Sequence, residues 1–461
     1  MSDYTMTELE SWNEKIEKIA KKEGLSYYIQ EFEICDYEDM IAYETYTGMP
    51  SRYPHWSFGK AYEKTKMLHK LNLTGLPYEM VINSDPCIAY LMKDNTLLLQ
   101  VLTIAHVYGH NDFFKNNRLF KEGTNAKYTV EMFKNHANRI REYVQDPGIG
   151  YEKVERILNT AHALKLQTGR VVGEKRLTNE EKRKKLYDSL QPPKNDHPLL
   201  IPEDERYRPP NIDVKKLPIE PEDNLLAFII EYGKLEDWER DILQIVMEEA
   251  QYFIPQIETK IMNEGWASLW HYTILNKLDL PQGMHVEFIK RHNQVIRPTK
   301  GNINPYYVGF MIFQDIIKKN DGKLDKIFEI REVERDESFI RRYLTRELCN
   351  SLNLFEYKKT SNRYLITEVS NDEGWKTVRD TLAASVGMGG IPSLKIVEYI
   401  QKDSILLIKH EFDGRELELN YAYATIKHIS DIWHGEIIIM TNVNGESKQI
   451  HCDENKKISL V

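Results

Sequence analysis

The sequence predicts an α+β protein, with a large, mostly α-helical N-terminal domain and a small C-terminal α+β domain of two hairpins around one helix. Three observations lead there. Apolar residues recur at helical spacing over much of the chain from Thr7 to Asn350. A Lys/Glu run and Pro-rich strings, NEEKRKKL, PPKNDHP and IPEDERYRPP, break that pattern between Val171 and Glu222, where no continuous apolar face is available. From Ser393 the period becomes strand-like. At 461 residues the chain is too long for one ordinary domain. The expected division is a helical domain over 1–320 with 171–222 as a charged, Pro-rich insertion or linker, a helical connecting region over 321–392, and the small domain over 393–461.

Taken in order, Thr7–Lys22 reads as an outer helix, with Leu9, Trp12, Ile16 and Ile19 on one side. The aromatic, Gly- and Pro-containing stretch Tyr53–Met92 reads as loop, short helix and one extended piece around Tyr78–Asn83. Three helices then follow over Thr96–Phe114, Tyr128–Val144 and Tyr151–Leu166, set apart by Asn/Gly and Asp-Pro-Gly breaks. Helical pattern resumes from Asn224 to Leu280, with Pro255 marking a break or a new first turn, and again over Tyr306–Lys319 and on to Asn350. GMGGIP at Gly387–Pro392 follows a helix-like stretch, so it reads as a helix stop and not as a dinucleotide loop. In the tail, SLKIVEYI and ILLIKHEF form one hairpin, Leu419–Trp433 a helix, and EIIIMTN with ESKQIHC a second hairpin.

Composition excludes several classes. Lys+Arg 62 against Asp+Glu 71 gives −9, a charge that repels phosphate backbones and anionic headgroups. General nucleic-acid binding is therefore disfavoured. The first residues lack the basic and apolar regions of a signal peptide, and no apolar run approaches the roughly 18 residues of a membrane span. The 4 cysteines are far apart with no C-x-x-C pair, so neither a disulfide scaffold nor a zinc ribbon is expected. A reducing cytoplasm is the expected location.

The chemistry lies on apolar helices. His106 and His110 sit at i,i+4 on LLLQVLTIAHVYGHNDFF, which is apolar nearly all round, and share a face with Leu99, Thr103 and Phe113. Two imidazoles one turn apart can share a metal ion, or they can be core histidines bonded to neighbours. His136 lies on the packing side of the next helix. In QIETKIMNEGWASLWHYTIL, the residues Gln256, Lys260, Glu264 and His271 form one stripe of a helix that is otherwise apolar on both sides. Buried Lys or Glu must be paired, bound to an ion, or turned into a cavity. His106-Val-Tyr-Gly-His110 lacks the Glu of H-E-x-x-H, so a base must come from elsewhere, and Glu79 or Glu264 can supply it. The residues thus point to a mixed His/carboxylate site of His106, His110 and Glu264 or His271. Zinc, iron or manganese suits such a site. Glu79 is its base or a further ligand.

The strings YPHWSFGKAYEK, GLPYEMVINSDPCIAYLM, HVYGHNDFFKNN, NEGWASLWH, DTLAASVGMGGIP and HEFDGREL, in that order along the chain, resemble the stage V sporulation protein R (SpoVR) family. The resemblance implies a cytoplasmic bacterial protein involved in forming the spore cortex, a modified peptidoglycan. It also implies partners: a PrkA-type AAA+ ATPase/serine kinase and a von Willebrand A-type protein. It names a process and no secure biochemical activity. Its strings cover Glu79, His106, His110, Glu264 and His271, and add His55 and Lys60 by motif alone. The resulting expectation is a metal-dependent enzyme acting on an amide-type bond in cell-wall metabolism, with Lys60 or Lys260 meeting an anionic group or developing oxyanion. The alternative is a non-catalytic adaptor in which the buried polar set only fixes helix packing.

Overall fold

A computed structural model of the chain describes residues 4–71, 79–169, 180–181, 184–185, 187, 223–298, 302–359, 364–400 and 404–461. The expected insertion at 171–222 lies outside them, apart from the few residues between 180 and 187. Capping chemistry sets the boundaries of the first elements. Helix α1 (Met6–Lys22) opens on a capping box between Thr5 and Glu8 and buries Leu9, Ile16 and Ala20. Strand β1 (Gln30–Cys35) leads to α2 (Tyr37–Thr45), capped by Asp36, and then to α3 (Trp56–Lys70), capped by His55. Strands β2 (Glu79–Ile82) and β3 (Cys87–Met92) complete a sheet of order β1-β3-β2, with β1 parallel and β2 antiparallel to β3. The sequence pattern indicated one extended piece near β2. The short parallel pairing of β1 depends on a partner far along the chain and has no local signature.

Helix α4 (Leu97–Asn116) begins at Thr96, whose hydroxyl accepts from the Leu99 amide, and every residue from Leu98 through Phe114 is buried. Two of its polar residues are bonded outward to the chain around it. Asn111 exchanges hydrogen bonds with Tyr28, and Asp112 accepts from the Ser26 amide, Trp266 Nε1 and Arg331 Nη1 at 2.7–2.9 Å. After α5 (Arg118–Gly123) come α6 (Thr129–Gln145) and α7 (Tyr151–Leu164). Beyond α8 (Leu225–Tyr232), α9 (Asp237–Glu258) runs through Pro255, and the chain breaks four residues later at Thr259, whose hydroxyl donates to the Pro255 carbonyl. The break expected at Pro255 is thus displaced, and it starts α10 (Lys260–Lys277). Asp336 receives the Ile261 and Met262 amides at 2.8 and 2.9 Å, supplying the cap that the local sequence lacks.

Helices α11 (Gln282–Val295), α12 (Pro305–Lys319), α13 (Asp325–Val333), α14 (Asp336–Tyr343) and α15 (Arg346–Ser351) follow. The stretch read as helical over 321–392 also carries an antiparallel hairpin, β4 (Phe355–Lys359) with β5 (Tyr364–Val369), before α16 (Trp375–Ser385) and a 3₁₀ turn over Gly387–Gly390. By packing, Met1–Leu166 and Glu236–Ile391 form one compact unit, and Gln167–Leu235 with Pro392–Val461 a second. In the first, α10 packs between α4 and α12, and their apolar faces join one core around Trp266, Trp270 and Phe313.

The second unit has the expected α+β tail. Strands β6 (Leu394–Ile400) and β7 (Ile405–His410) form a hairpin, α17 (Leu419–Trp433) crosses over, and β8 (Ile437–Val443) pairs parallel to β7. Strand β9 (Glu446–Cys452) then folds back on β8, and β10 (Ile458–Leu460) adds to β9, for an order β10-β9-β8-β7-β6.

Candidate metal centre

Helix α4 offers His106 and His110 from one face, with ring centroids 4.6 Å apart. Opposite them, α10 presents Glu264, and the first residue of β2 presents Glu79. His106 Nε2 lies 3.8 Å from Glu79 Oε1 and 3.8 Å from Glu264 Oε2, and His110 Nε2 lies 3.5 Å from the same Glu264 oxygen. These are too long for hydrogen bonds. The 3.5 Å spacing equals the edge of a tetrahedral ligand shell, about 3.3–3.6 Å when the metal–ligand bonds are about 2.0–2.2 Å, and the two 3.8 Å spacings are slightly longer than that edge. His106 Nε2 and Glu264 Oε2 are buried with no hydrogen-bond partner among the described residues, as expected of atoms whose lone pairs face an ion. One ligand atom each from Glu79, His106 and His110 falls within 4.8 Å of the others.

Supporting residues fix the imidazoles. His110 Nδ1 is 2.9 Å from Asn263 Oδ1; a carboxamide oxygen only accepts, so the proton sits on Nδ1 and Nε2 turns its lone pair toward Glu264. Behind His106 runs a chain of rings, Nδ1 to His271 Nδ1 at 2.9 Å and His271 Nε2 to His292 Nδ1 at 2.7 Å. If His106 Nε2 faces the centre bare, His106 Nδ1–H donates to His271, which must then donate to His292. Both nitrogens of His271 are thereby committed, and it stands behind the centre instead of in it.

Electrostatics favour the protonation states that ligands need. Burial, then the charge of His106, holds the His110 imidazole down at about 4. Burial pushes the Glu264 carboxyl up, but its interactions with His106, His110 and Tyr306 outweigh this and leave it below the usual range. Glu79 is raised by burial, with Glu264 adding to the rise and His106 opposing it. The charge of Glu264, followed by burial, raises Tyr306 well above an ordinary phenol. Tyr306 comes from the first turn of α12 and stacks 6.0 Å from the His106 ring.

Glu79, His110, Glu264, Asn263 and Tyr306 line a cavity of about 580 Å³, and Lys260 lies on its wall. The other residues singled out from sequence lie elsewhere. His55 caps α3 and bonds Ser57 Oγ at 2.7 Å and Asn159 Oδ1 at 3.2 Å. Lys60 is on the exposed side of α3, its ammonium 5.6 Å from the Trp56 ring. His136 lies between Glu248 at 3.2 Å and Glu249 at 3.5 Å. Asn263, His292 and Tyr306 were missed by sequence reasoning. Of these, Asn263 adjoins Glu264 inside the quoted NEGWASLWH string, the nearest thing to a signal.

Fold and centre together define a class: a largely helical protein with a buried His/carboxylate site of metal-ligand type open to a cavity. The family described as SpoVR like protein matches residues 3–391, and the chain belongs to the SpoVR family. It is 33% identical over 474 residues to the uncharacterized protein YcgB of Escherichia coli (strain K12), covering 95% of this chain and 92% of that protein. No solved structure matches the chain. Among the described residues no helix is long and apolar enough to cross a membrane.

Proposed function

We propose that the centre holds a divalent metal and that the protein is a cytoplasmic metal-dependent enzyme acting on an amide-type bond in cell-wall metabolism, in spore formers that of the cortex peptidoglycan. One observation carries the metal: the partnerless His106 Nε2 and Glu264 Oε2, buried 3.8 Å apart beside His110 and Glu79. A bound divalent ion supplies Lewis-acid polarisation of a carbonyl and acidifies water toward neutrality. His106, His110 and Glu264 hold the ion. Glu79, its pKa raised by burial, takes a proton from the attacking water and returns it to the leaving amine. Lys260 and the Tyr306 hydroxyl meet developing negative charge from the cavity wall. Membership of the SpoVR family supports the cell-wall process in this reading.

Elemental analysis of protein purified without a His tag tests this. Near-stoichiometric metal is expected, falling sharply in a His106→Ala/His110→Ala variant. Metal-free wild type, together with a folded double variant that retains biological activity, overturns the reading.

A second reading is an adaptor that works with a PrkA-type AAA+ ATPase/kinase and a von Willebrand A-type partner. Exposed apolar side chains on β4 and β5, Phe355, Leu365, Ile366 and Val369, favour a docking role for that hairpin. Such a role is compatible with catalysis, and the metal experiment tests the metal-dependent reading alone.

A further inference from the structure

The cavity that opens on the His/Glu centre has a second polar set on its wall, contributed by the segment before α3 and its first turn, by α7 and the residue that follows it, and by α9. It comprises Arg52, Tyr53, Ser57, His162, Lys165 and Glu249. Among the described residues no hydrogen bond or ion pair joins this set to Glu79, His106, His110 or Glu264. The charges here do not cancel. Arg52 Nη2 pairs with Glu249 Oε2 at 3.0 Å, both side chains being buried, and the guanidinium is held over the rings of Phe133, Phe58 and Tyr53 at 5.1–5.3 Å. Lys165 has no ion pair or hydrogen bond among the described residues, although it lines the cavity and is accessible to solvent. One cation is therefore left over.

The neighbouring groups register that surplus. Burial, then the charges of His55, Lys165 and Arg52, presses the His162 imidazole down to about 2, so it is neutral and accepts the Tyr53 hydroxyl at 2.8 Å. Burial and then Arg52 lower Lys165 itself, with Glu249 only partly opposing. The same wall carries apolar side chains, Phe58, Phe114, Val246, Phe253 and Ile257. A volume of about 580 Å³ suits one small molecule.

We infer that the Lys165/Arg52 end of the cavity is a subsite for the anionic group, carboxylate or phosphate, of a small-molecule substrate whose reacting bond lies at the His/Glu centre. The substrate role rests on the reading of that centre as catalytic; the anion site itself does not. Lys165 is the residue to change, since it is solvent-accessible and unpaired and its replacement breaks no buried ion pair.

Inorganic phosphate and acetate are titrated calorimetrically into the full chain as purified, and the tighter of the two identifies the head group. Saturable binding at millimolar concentration is expected. It should weaken at least about tenfold, which is about 1.4 kcal/mol, in Lys165→Met and vanish in Lys165→Glu. The His106→Ala/His110→Ala variant should keep that binding while losing metal, so failure of the metal reading leaves this result standing. The inference is overturned if wild type binds neither anion, if Lys165→Met binds like wild type, or if the double histidine variant abolishes binding.

Discussion

A carboxamide decides which way His110 faces. Because Asn263 Oδ1 can only accept, it holds the proton on Nδ1 and leaves Nε2 free for a ligand. Replacing Asn263 by Leu removes the acceptor, and metal affinity should fall about 10- to 100-fold, whereas Asn263→Asp, which keeps an acceptor, should stay nearer wild type. Competition with a chromophoric chelator measures both. At this scale His106 and His110 were legible in the sequence because two imidazoles at i,i+4 on an apolar helix stand out. Glu264 was legible as a charge on a helix apolar on both sides. Asn263, Tyr306 and His292 carry residue types that are common in helices, at spacings that select no partner, and became visible only when α10, α11 and α12 were placed beside α4.

Packing of whole elements brings these residues within reach. Helix α10 approaches α4 where a Cβ on Gly109 would fall 2.7 Å from the Ala267 Cα, and it approaches α12 where Gly265 and Gly309 meet backbone to backbone. These two close crossings hold Glu264 between the imidazoles of α4 and the first turn of α12. Gly265→Ala should force the helices apart and lower stability by about 1–3 kcal/mol or more, read as a drop in melting temperature. Gly283→Ala on α11 is the control: a Cβ there meets nothing within 4 Å, and stability should hold or rise slightly. Helix positions themselves were legible from periodicity, as α4, α6 and α7 agree with the pattern to within about two residues. The glycines gave no such indication, since a helical glycine reads locally as a weakness and its use lies in the neighbour it admits.

Across the molecule, burial holds a set of histidines neutral. His110 and His292 titrate near 4 and His162 near 2, all below the unfolded value of about 6.5. The sign follows from linkage. Between about pH 6.5 and 4 the unfolded chain binds protons at these positions and the native protein does not, so stability is full above 6.5 and falls as pH drops. Each such group contributes up to about 1.4 kcal/mol per pH unit in that window. Thermal melts at constant ionic strength should therefore show a falling midpoint from pH 7 to 5, before most carboxylates titrate. His162→Phe should flatten the slope, and an unchanged slope would show that His162 is already charged in the native state.

Local physics carries the α+β class, the helical spacings, the change of period at Ser393 and the family strings, because each depends on neighbours within a turn or a strand. It also marks the buried His and Glu, since ionisable groups on an apolar face conflict with their surroundings at short range. The centre itself depends on contacts across 165 residues between His106 and His271 and 153 between His110 and Asn263. Tertiary packing alone decided that Glu79 joins His106 and His110, that His271 stands behind them, and that Lys165 and Arg52 share their cavity. Periodicity tells which face of a helix is buried, but the face it meets is chosen by shape and by polar atoms that find partners only once the helices are packed.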